Sequence, residues 1–458
     1  MTMKEILFAV TSFTRCQTCC DVGHLLTALS SLLLCFIVTS CGQDSLEETS
    51  PEPSPSPYID STRLCLDTGL PVCYVTTRNN ISISSRDEYV TATMHIVHNG
   101  KSLFEDTLLR IKGRGQASWT SMFPKRPYKL KLSSKHELLG MPANKHFVLL
   151  ANYTDKSLMR TAIGFKVGEL LEREWTPQSR FVELVLNGKY QGNYQLTESV
   201  RAGKHRINVS NSGLILEYLY PERVVEEPFY FITKNFQLGY GFKYPDEDDM
   251  TEECVKYAAD LMDRFERQLT DSNCVTGYTD FIDLESWAKW YYHLNILMQR
   301  EYNTYLVKYD NTDNSKICLG PLWDFEWSLG VGYYDGKERP CQDHYLVTEK
   351  YFRKLIESPL FIAEVTKIHR QYGKRVREGV LRYYEELSDY LRISQKLNFK
   401  CWPILDKRIS VGGYPLGSWE KEVECDRQFF IDHYDYIDML INCNTRVVRT
   451  YYSTRRHC

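Results

Sequence analysis

The hydrophobic period of this chain changes once along its length. Up to about residue 220 apolar side chains alternate with polar ones in short runs, the period of a pleated strand. From about residue 250 they recur at three- and four-residue spacing, the period of a helix. Such a chain has two kinds of apolar surface to bury, so the expected class is α+β. In the first half "YVTATMHIV" (89–97), "LLRIKG" (108–113), "RPYKLKL" (126–132), "HFVLLANY" (146–153) and "GLILEYLY" (213–220) read as strands. The segment 126–132 places Lys129 and Lys131 on one face and Tyr128, Leu130 and Leu132 on the other. The run 180–200 reads as a hairpin turning at Asn187-Gly188. One helix interrupts these strands, capped by Thr154 or Asp155, with Leu158, Ala162, Ile163, Val167, Leu170 and Leu171 on its apolar stripe. In the second half 251–269 opens on a Thr-led cap, 283–299 is an aromatic amphipathic helix, and a small hairpin, "TYLVKY" to "KICLG", follows. Residues 350–440 are mostly helical, broken at 405–419.

The N-terminus reads as a targeting segment. Residues 24–40, "HLLTALSSLLLCFIVTS", are uncharged and apolar, at the short limit for spanning a bilayer. Small residues before Cys41 point to a bacterial lipoprotein signal, cleaved so that the Cys41 thiol takes the lipid. Residues 42–57 are acidic, rich in Ser and Pro and nearly free of apolar side chains, hence a tether without a core. Acid so close behind a lipidated cysteine resembles the surface-export signals of Bacteroidetes lipoproteins. The expected location is the cell envelope, as an outer-membrane lipoprotein with outward display. Ten cysteines follow Cys41 without a C-x-x-C pair, which argues against zinc and permits disulfides; Cys65 and Cys73 flank a turn and are the easiest pair to bridge. The net charge of −3 gives no electrostatic footprint for nucleic acid. No G-x-S-x-G or H-E-x-x-H pattern supports a hydrolase.

The chemistry centres on "LGPLWDFEWSLG" (319–330). Asp324 follows a Gly-Pro turn; alone it reads as an acidic loop residue beside tryptophans. Asn303 stands before the small hairpin and Asp324 after it, so two oxygen ligands flank one short turn and can converge on a hard cation. In "RIKGRGQASWTSMFPKRPYKLKL" Gly113 and Gly115 lie between strands, where glycine lets backbone N–H groups approach phosphate. Arg114, Lys125 and Lys129 are candidate phosphate contacts; on a strand such cations equally form a solvated face. Glu198 and Glu217 by themselves read as solvent-facing strand glutamates.

The blocks R-G-x-x-S (114–118), G-x-Y-x-L-x-E (192–198) and G-P-x-W-D-F (320–325) occur in order, and with the segments around them the chain resembles the CotH kinase family from about residue 70 to about 440. The resemblance implies an atypical protein-kinase-like two-lobed fold: a β-rich N-lobe with one main helix (58–220) and a helical C-lobe (221–440), ahead of a basic tail (441–458). It implies Mg-ATP binding and phosphoryl transfer to protein hydroxyls. Asp324 would be the metal ligand of a DFG-like turn, Asn303 and Glu326 further metal ligands, and Glu198 a hinge residue near adenine. The sequence departs from the kinase pattern at the base: five residues before Asn303 stands Met298, which accepts no proton, and the nearest acid is Glu301. Two functions follow. One is an active kinase on an unknown protein substrate. The other is an impaired kinase scaffold serving as a binding module for a surface protein or glycan. An open cleft with converging carboxylates favours the first; Asp324 paired to an arginine in a filled cleft favours the second.

Overall fold

The computed structural model describes residues 67–115, 117–120, 123–272, 276–299, 304–331, 350–409 and 415–442. The signal segment, Cys41, the tether, Glu301, Asn303, Cys65 and the tail from 443 lie outside the described residues.

Seven strands form a closed barrel: β1 (Val72–Thr77), β2 (Val90–His98), β3 (Lys101–Gly113), β4 (Tyr128–Leu138), β5 (Met141–Leu150), β6 (Ser179–Leu186) and β7 (Lys189–Glu198). The order is β1-β2-β3-β4-β5-β7-β6, and parallel pairing of Val72–Val75 with Glu183–Leu186 closes it. Alternation decides which side chains face inward: Leu109 and Ile111 of β3, Leu130 and Leu132 of β4, and Phe147 and Leu149 of β5 all fill the barrel. The 180–200 hairpin forms as expected, with Asn187 (φ 50°) and Gly188 (φ 72°) in the left-handed region that a tight hairpin turn requires.

Helix α1 (Arg160–Leu170) leaves the barrel after β5 and is buried on nearly every face. Its start is five residues later than a Thr154 cap would give. Asp155 nevertheless serves the end, because its Oδ2 accepts the Arg160 N–H at 2.8 Å. The remaining helices are α2 (Pro221–Val224), α3 (Glu252–Thr270), α4 (Leu284–Ile296), α5 (Lys350–Leu355), α6 (Pro359–Leu391), α7 (Ser394–Cys401) and α8 (Trp419–Asn442).

The expected two-lobed kinase-like fold with a helical C-lobe is not what the chain adopts. Beside the closed barrel runs a second, five-stranded sheet: β8 (Leu214–Leu219), β9 (Tyr230–Ile232), β10 (Gly239–Tyr244), β11 (Tyr305–Lys308) and β12 (Cys318–Leu319), in the order β12-β11-β8-β10-β9. Four of its strands come from the half expected to be helical. The short apolar run Tyr305–Lys308 is no isolated hairpin; it pairs antiparallel with Leu214–Glu217. Strands this short carry too few residues for a periodic signal of their own, and the helix period of the long segments around them is the stronger pattern. The largest core lies among this sheet, α1, α3, α4, α6 and α8, with Trp287, Trp290, Phe325 and Phe352 fully buried in it. Cys73, a candidate for a disulfide, is a free buried thiol, as are Cys318 and Cys401.

Candidate functional site

Asp324 stands on a turn held from three sides. Phe325 is fully buried, stacks on His293 of α4 at 5.4 Å and meets Phe165 of α1 edge-on. Gly164 of α1 makes room for it: a Cβ there would lie 2.3 Å from the Phe325 ring. Gln299 Nε2 donates to the Asp324 carbonyl at 2.5 Å, and Arg160 Nη1 donates to the Glu326 carbonyl at 3.3 Å. The Leu329 N–H donates to the Leu297 carbonyl at 2.8 Å. Within this frame Asp324 takes φ 55°, a left-handed backbone that costs an ordinary residue of order 1–2 kcal/mol. Met298, at the end of α4, is also left-handed (φ 47°). Its N–H reaches the Asn295 carbonyl and the Gln299 N–H reaches the Leu294 carbonyl, the two bonds of a Schellman cap. The residue at the expected base position is therefore a buried helix terminator. Strained residues gather where Asp324 is presented, a pattern associated with functional sites.

The Asp324 side chain keeps 37% of its exposure, and Arg114 Nη1 approaches its Oδ1 at 3.8 Å. Arg114 also lies 4.9 Å over the Trp323 ring. Desolvation raises the Asp324 carboxyl above the ordinary range; Arg114 draws it down and Glu217 pushes it up. Glu217 of β8 faces Tyr305 across the strand pair, accepts the Tyr305 hydroxyl at 2.9 Å, and is bridged by Lys243 at 2.6 Å. Two carboxylates and two cations thus act on one another around Glu217 of the central strand β8.

The outer face of the barrel brings cations into the same region. Arg110 stands opposite Lys131, and Lys112 opposite Lys129. Like charges in direct cross-strand register destabilise a sheet unless something neutralises them. Burial first, then Lys112, Arg201, Lys243 and Arg114, pull the Lys129 ammonium down to about 8. His146, opposite Lys131 on β5, is held down to about 3 by burial and then by Arg201, Lys129, Lys131 and Arg206. Among the described residues no carboxylate forms an ion pair with Lys129. Tyr89 lies under Arg110 and Lys112, at 5.4 and 4.8 Å from its ring centre.

The other sequence candidates are placed as follows. Lys125 is 1% exposed; its Nζ donates to the Asn193 carbonyl at 2.5 Å and to Asn398 Oδ1 of α7 at 2.9 Å, over the Tyr194 ring. It is a strut between barrel and α7. Glu198 is fully buried, 3.0 Å from Arg206 Nε, with its other oxygen accepting the Gln178 N–H. Glu326 Oε2 accepts both the Thr154 N–H (3.2 Å) and its hydroxyl (2.5 Å), and desolvation lifts its carboxyl to about 6. Gly113 lets the Trp119 ring pack against β3, where a Cβ would meet it at 2.5 Å; Gly115 has φ 82°. The structure thus brings Asp324, Arg114 and Lys129 together and places Lys125, Glu198 and Glu326 in partnered surroundings. Glu217, Lys243, Tyr305, Lys112 and Arg201 carried no motif. Strand alternation put Lys129 and Lys131 on one face, but nothing local marks Lys112 or joins Glu217 to Lys243.

Magnesium binds through one or two carboxylates, completed by phosphate oxygens and waters, rather than in an all-protein cage. That donor set fits Asp324: it is desolvated, repelled by Glu217, and beside a cationic face suited to phosphate. Among the described residues no three His, Cys, Asp or Glu side chains are grouped to hold a metal alone. A cavity of about 270 Å³ lies elsewhere, lined by Arg173, Trp175, Asp283, Lys289, Tyr309 and Gly320 among others, and includes none of the predicted site residues. A family model described as CotH kinase protein matches residues 109–437. No curated protein matches the chain.

Proposed function

The chain belongs to the CotH kinase family and is a kinase-like protein; from that premise we propose that it binds Mg-ATP between the barrel face and the second sheet and transfers phosphoryl groups to protein hydroxyls. The observation that carries the reading is the cationic register Arg110–Lys131 and Lys112–Lys129 leading to Arg114 and Asp324. Asp324 would hold the metal, and Lys129 and Arg114 the phosphates. The Mg²⁺ would neutralise charge on the transferring group, and Asn303 remains a proposed second ligand. Glu326 serves the Thr154 turn in the present geometry. Positioning and charge stabilisation carry most of phosphoryl transfer. A base typically adds roughly 10²–10⁴-fold, so with Met298 at the base position the expected turnover is slow unless Glu301 supplies the proton acceptor.

A second reading has its own observation. Asp324 is already paired with Arg114, at 3.8 Å. A scaffold that has given up transfer would keep this pair and bind a surface protein or glycan. The anchor belongs to both readings: lipid on Cys41 would hold the protein at the outer membrane. Among the described residues no helix is long and apolar enough to cross a membrane.

Titration calorimetry with ATP, with and without Mg²⁺, tests the proposal. Wild type should bind only with Mg²⁺, and Asp324→Asn should lose binding while keeping its thermal midpoint. No heat from wild type with Mg-ATP would remove the nucleotide reading and leave the binding module.

A further inference from the structure

Lys243 is a cation that no sequence motif marked, and its placement is unusual. Strand β10 pairs with β8 through Gly241↔Glu217 and Phe242↔Leu216, and then Tyr244↔Ile215, so Lys243 is the extra residue of a β-bulge. Bulges re-aim a side chain, and they concentrate beside active sites. The re-aimed Lys243 Nζ meets Glu217 Oε2 at 2.6 Å, while Glu217 Oε1 accepts the Tyr305 hydroxyl at 2.9 Å. Tyr305 and Glu217 are direct cross-strand partners, so the backbone ladder itself fixes the donor against the carboxylate.

We propose that Lys243 is a phosphate-binding residue of the nucleotide site, and that Glu217 and Tyr305 are positioning residues that set its ammonium. The inference rests on the Mg-ATP reading above. Lys243 of the second sheet and Lys129 of the barrel act on each other electrostatically, so a polyphosphate held between them would be gripped from both sides. An ammonium has three donors, and the Glu217 contact uses one. The side chain keeps 36% of its exposure, which leaves donors for a ligand. Burial works against its charge, but the adjoining Glu217 carboxylate, helped by Glu227, holds it above the ordinary lysine range. The cation is therefore kept charged beside Lys129, whose own charge is the harder to hold. Glu217 also acts electrostatically on Asp324, so one carboxylate links the phosphate-side cation to the proposed metal ligand.

The test is Mg-ATP titration of the full protein, wild type measured first, followed by Lys243→Met, Lys243→Arg, Glu217→Gln, Tyr305→Phe and the double variant Glu217→Gln with Lys243→Met. Removing a charge-assisted phosphate contact should weaken binding roughly ten- to a hundredfold in Lys243→Met. Lys243→Arg should retain most of the affinity, and Tyr305→Phe should lose a few-fold, because the hydroxyl acts on the lysine only through Glu217. Glu217→Gln should weaken binding in the wild-type background and add nothing on top of Lys243→Met, because it acts through that lysine. Thermal midpoints of the variants separate these effects from misfolding. If wild type binds and Lys243→Met binds equally well, the inference fails and the nucleotide reading stands. If Glu217→Gln costs its full factor in the Lys243→Met background, Glu217 acts on the metal itself and the positioning role is wrong. If wild type does not bind, the nucleotide reading fails and takes the inference with it.

Discussion

At the scale of single residues, what sets this protein apart is charge held where it is not neutralised. Lys129 is the clearest case: burial and four neighbouring cations bring its ammonium to about 8, below the ordinary lysine value. An anion needs the protonated form, so Mg-ATP affinity should be constant from pH 6 to 7 and fall as pH rises through about 8. In Lys129→Met the affinity should be lower throughout and flat across that step. Calorimetry at four pH values checks this; a wild-type profile without a step near 8 would detach Lys129 from the ligand. Sequence alternation was enough to put Lys129 on an outward face. It could not say that Lys112 would stand opposite, because cross-strand register depends on the turn and on the partner strand.

At the scale of elements, the Asp324 turn depends on α1 and α4 more than on its own residues. Phe325 occupies the space that Gly164 leaves, and the carbonyls on either side of it are held by Gln299 and Arg160. Gly164→Ala would put a methyl 2.3 Å from the ring. Overpacking of this kind costs typically 1–3 kcal/mol. Denaturant unfolding should show that loss, and Mg-ATP affinity should drop with it because the displaced ring moves Asp324. Unchanged stability would mean that α1 shifts freely, contrary to its burial on nearly all faces. The hairpin at Asn187-Gly188 was legible because turn chemistry is local. The α1 start was not, since Asp155 caps it from five residues away through a loop.

At the scale of the whole molecule, Lys125 ties the barrel to α7. Its folded value of about 7 lies below the 10.5 of the free side chain, with burial as the main cause. Between those values the unfolded chain binds the proton and the native protein does not, so stability rises with pH across the window. From pH 7 to 9 this contributes about 2 kcal/mol, from about 1.4 kcal/mol per pH unit. The neutral amine still offers a hydrogen to each of its two acceptors, Asn193 O and Asn398 Oδ1. Lys125→Met should be less stable at both pH values and should lack this increment; equal pH slopes in the two proteins would refute the buried-amine account. The proposed anchor is also tested on the whole protein. Cys41→Ser should abolish incorporation of labelled fatty acid and release the protein from the membrane fraction; persistent labelling would place the lipid elsewhere.

The sequence alone determined the class of surfaces to be buried, the inward and outward faces of the barrel strands, the Asn187-Gly188 turn, and, through motif blocks in order, the family. Those signals are local or periodic, and each is written in neighbouring residues. Tertiary structure alone decided that the first half closes into a barrel by parallel β1–β6 pairing, and that the small hairpin joins Leu214–Leu219 in a second sheet instead of decorating a helical lobe. It also decided that Lys125 is a strut and that Tyr305 and Lys243 meet on Glu217, which acts electrostatically on Asp324. These outcomes depend on contacts between short segments from 26 to 273 residues apart. Contact at that range is chosen by competition among whole-chain arrangements, and no single stretch of the sequence records it.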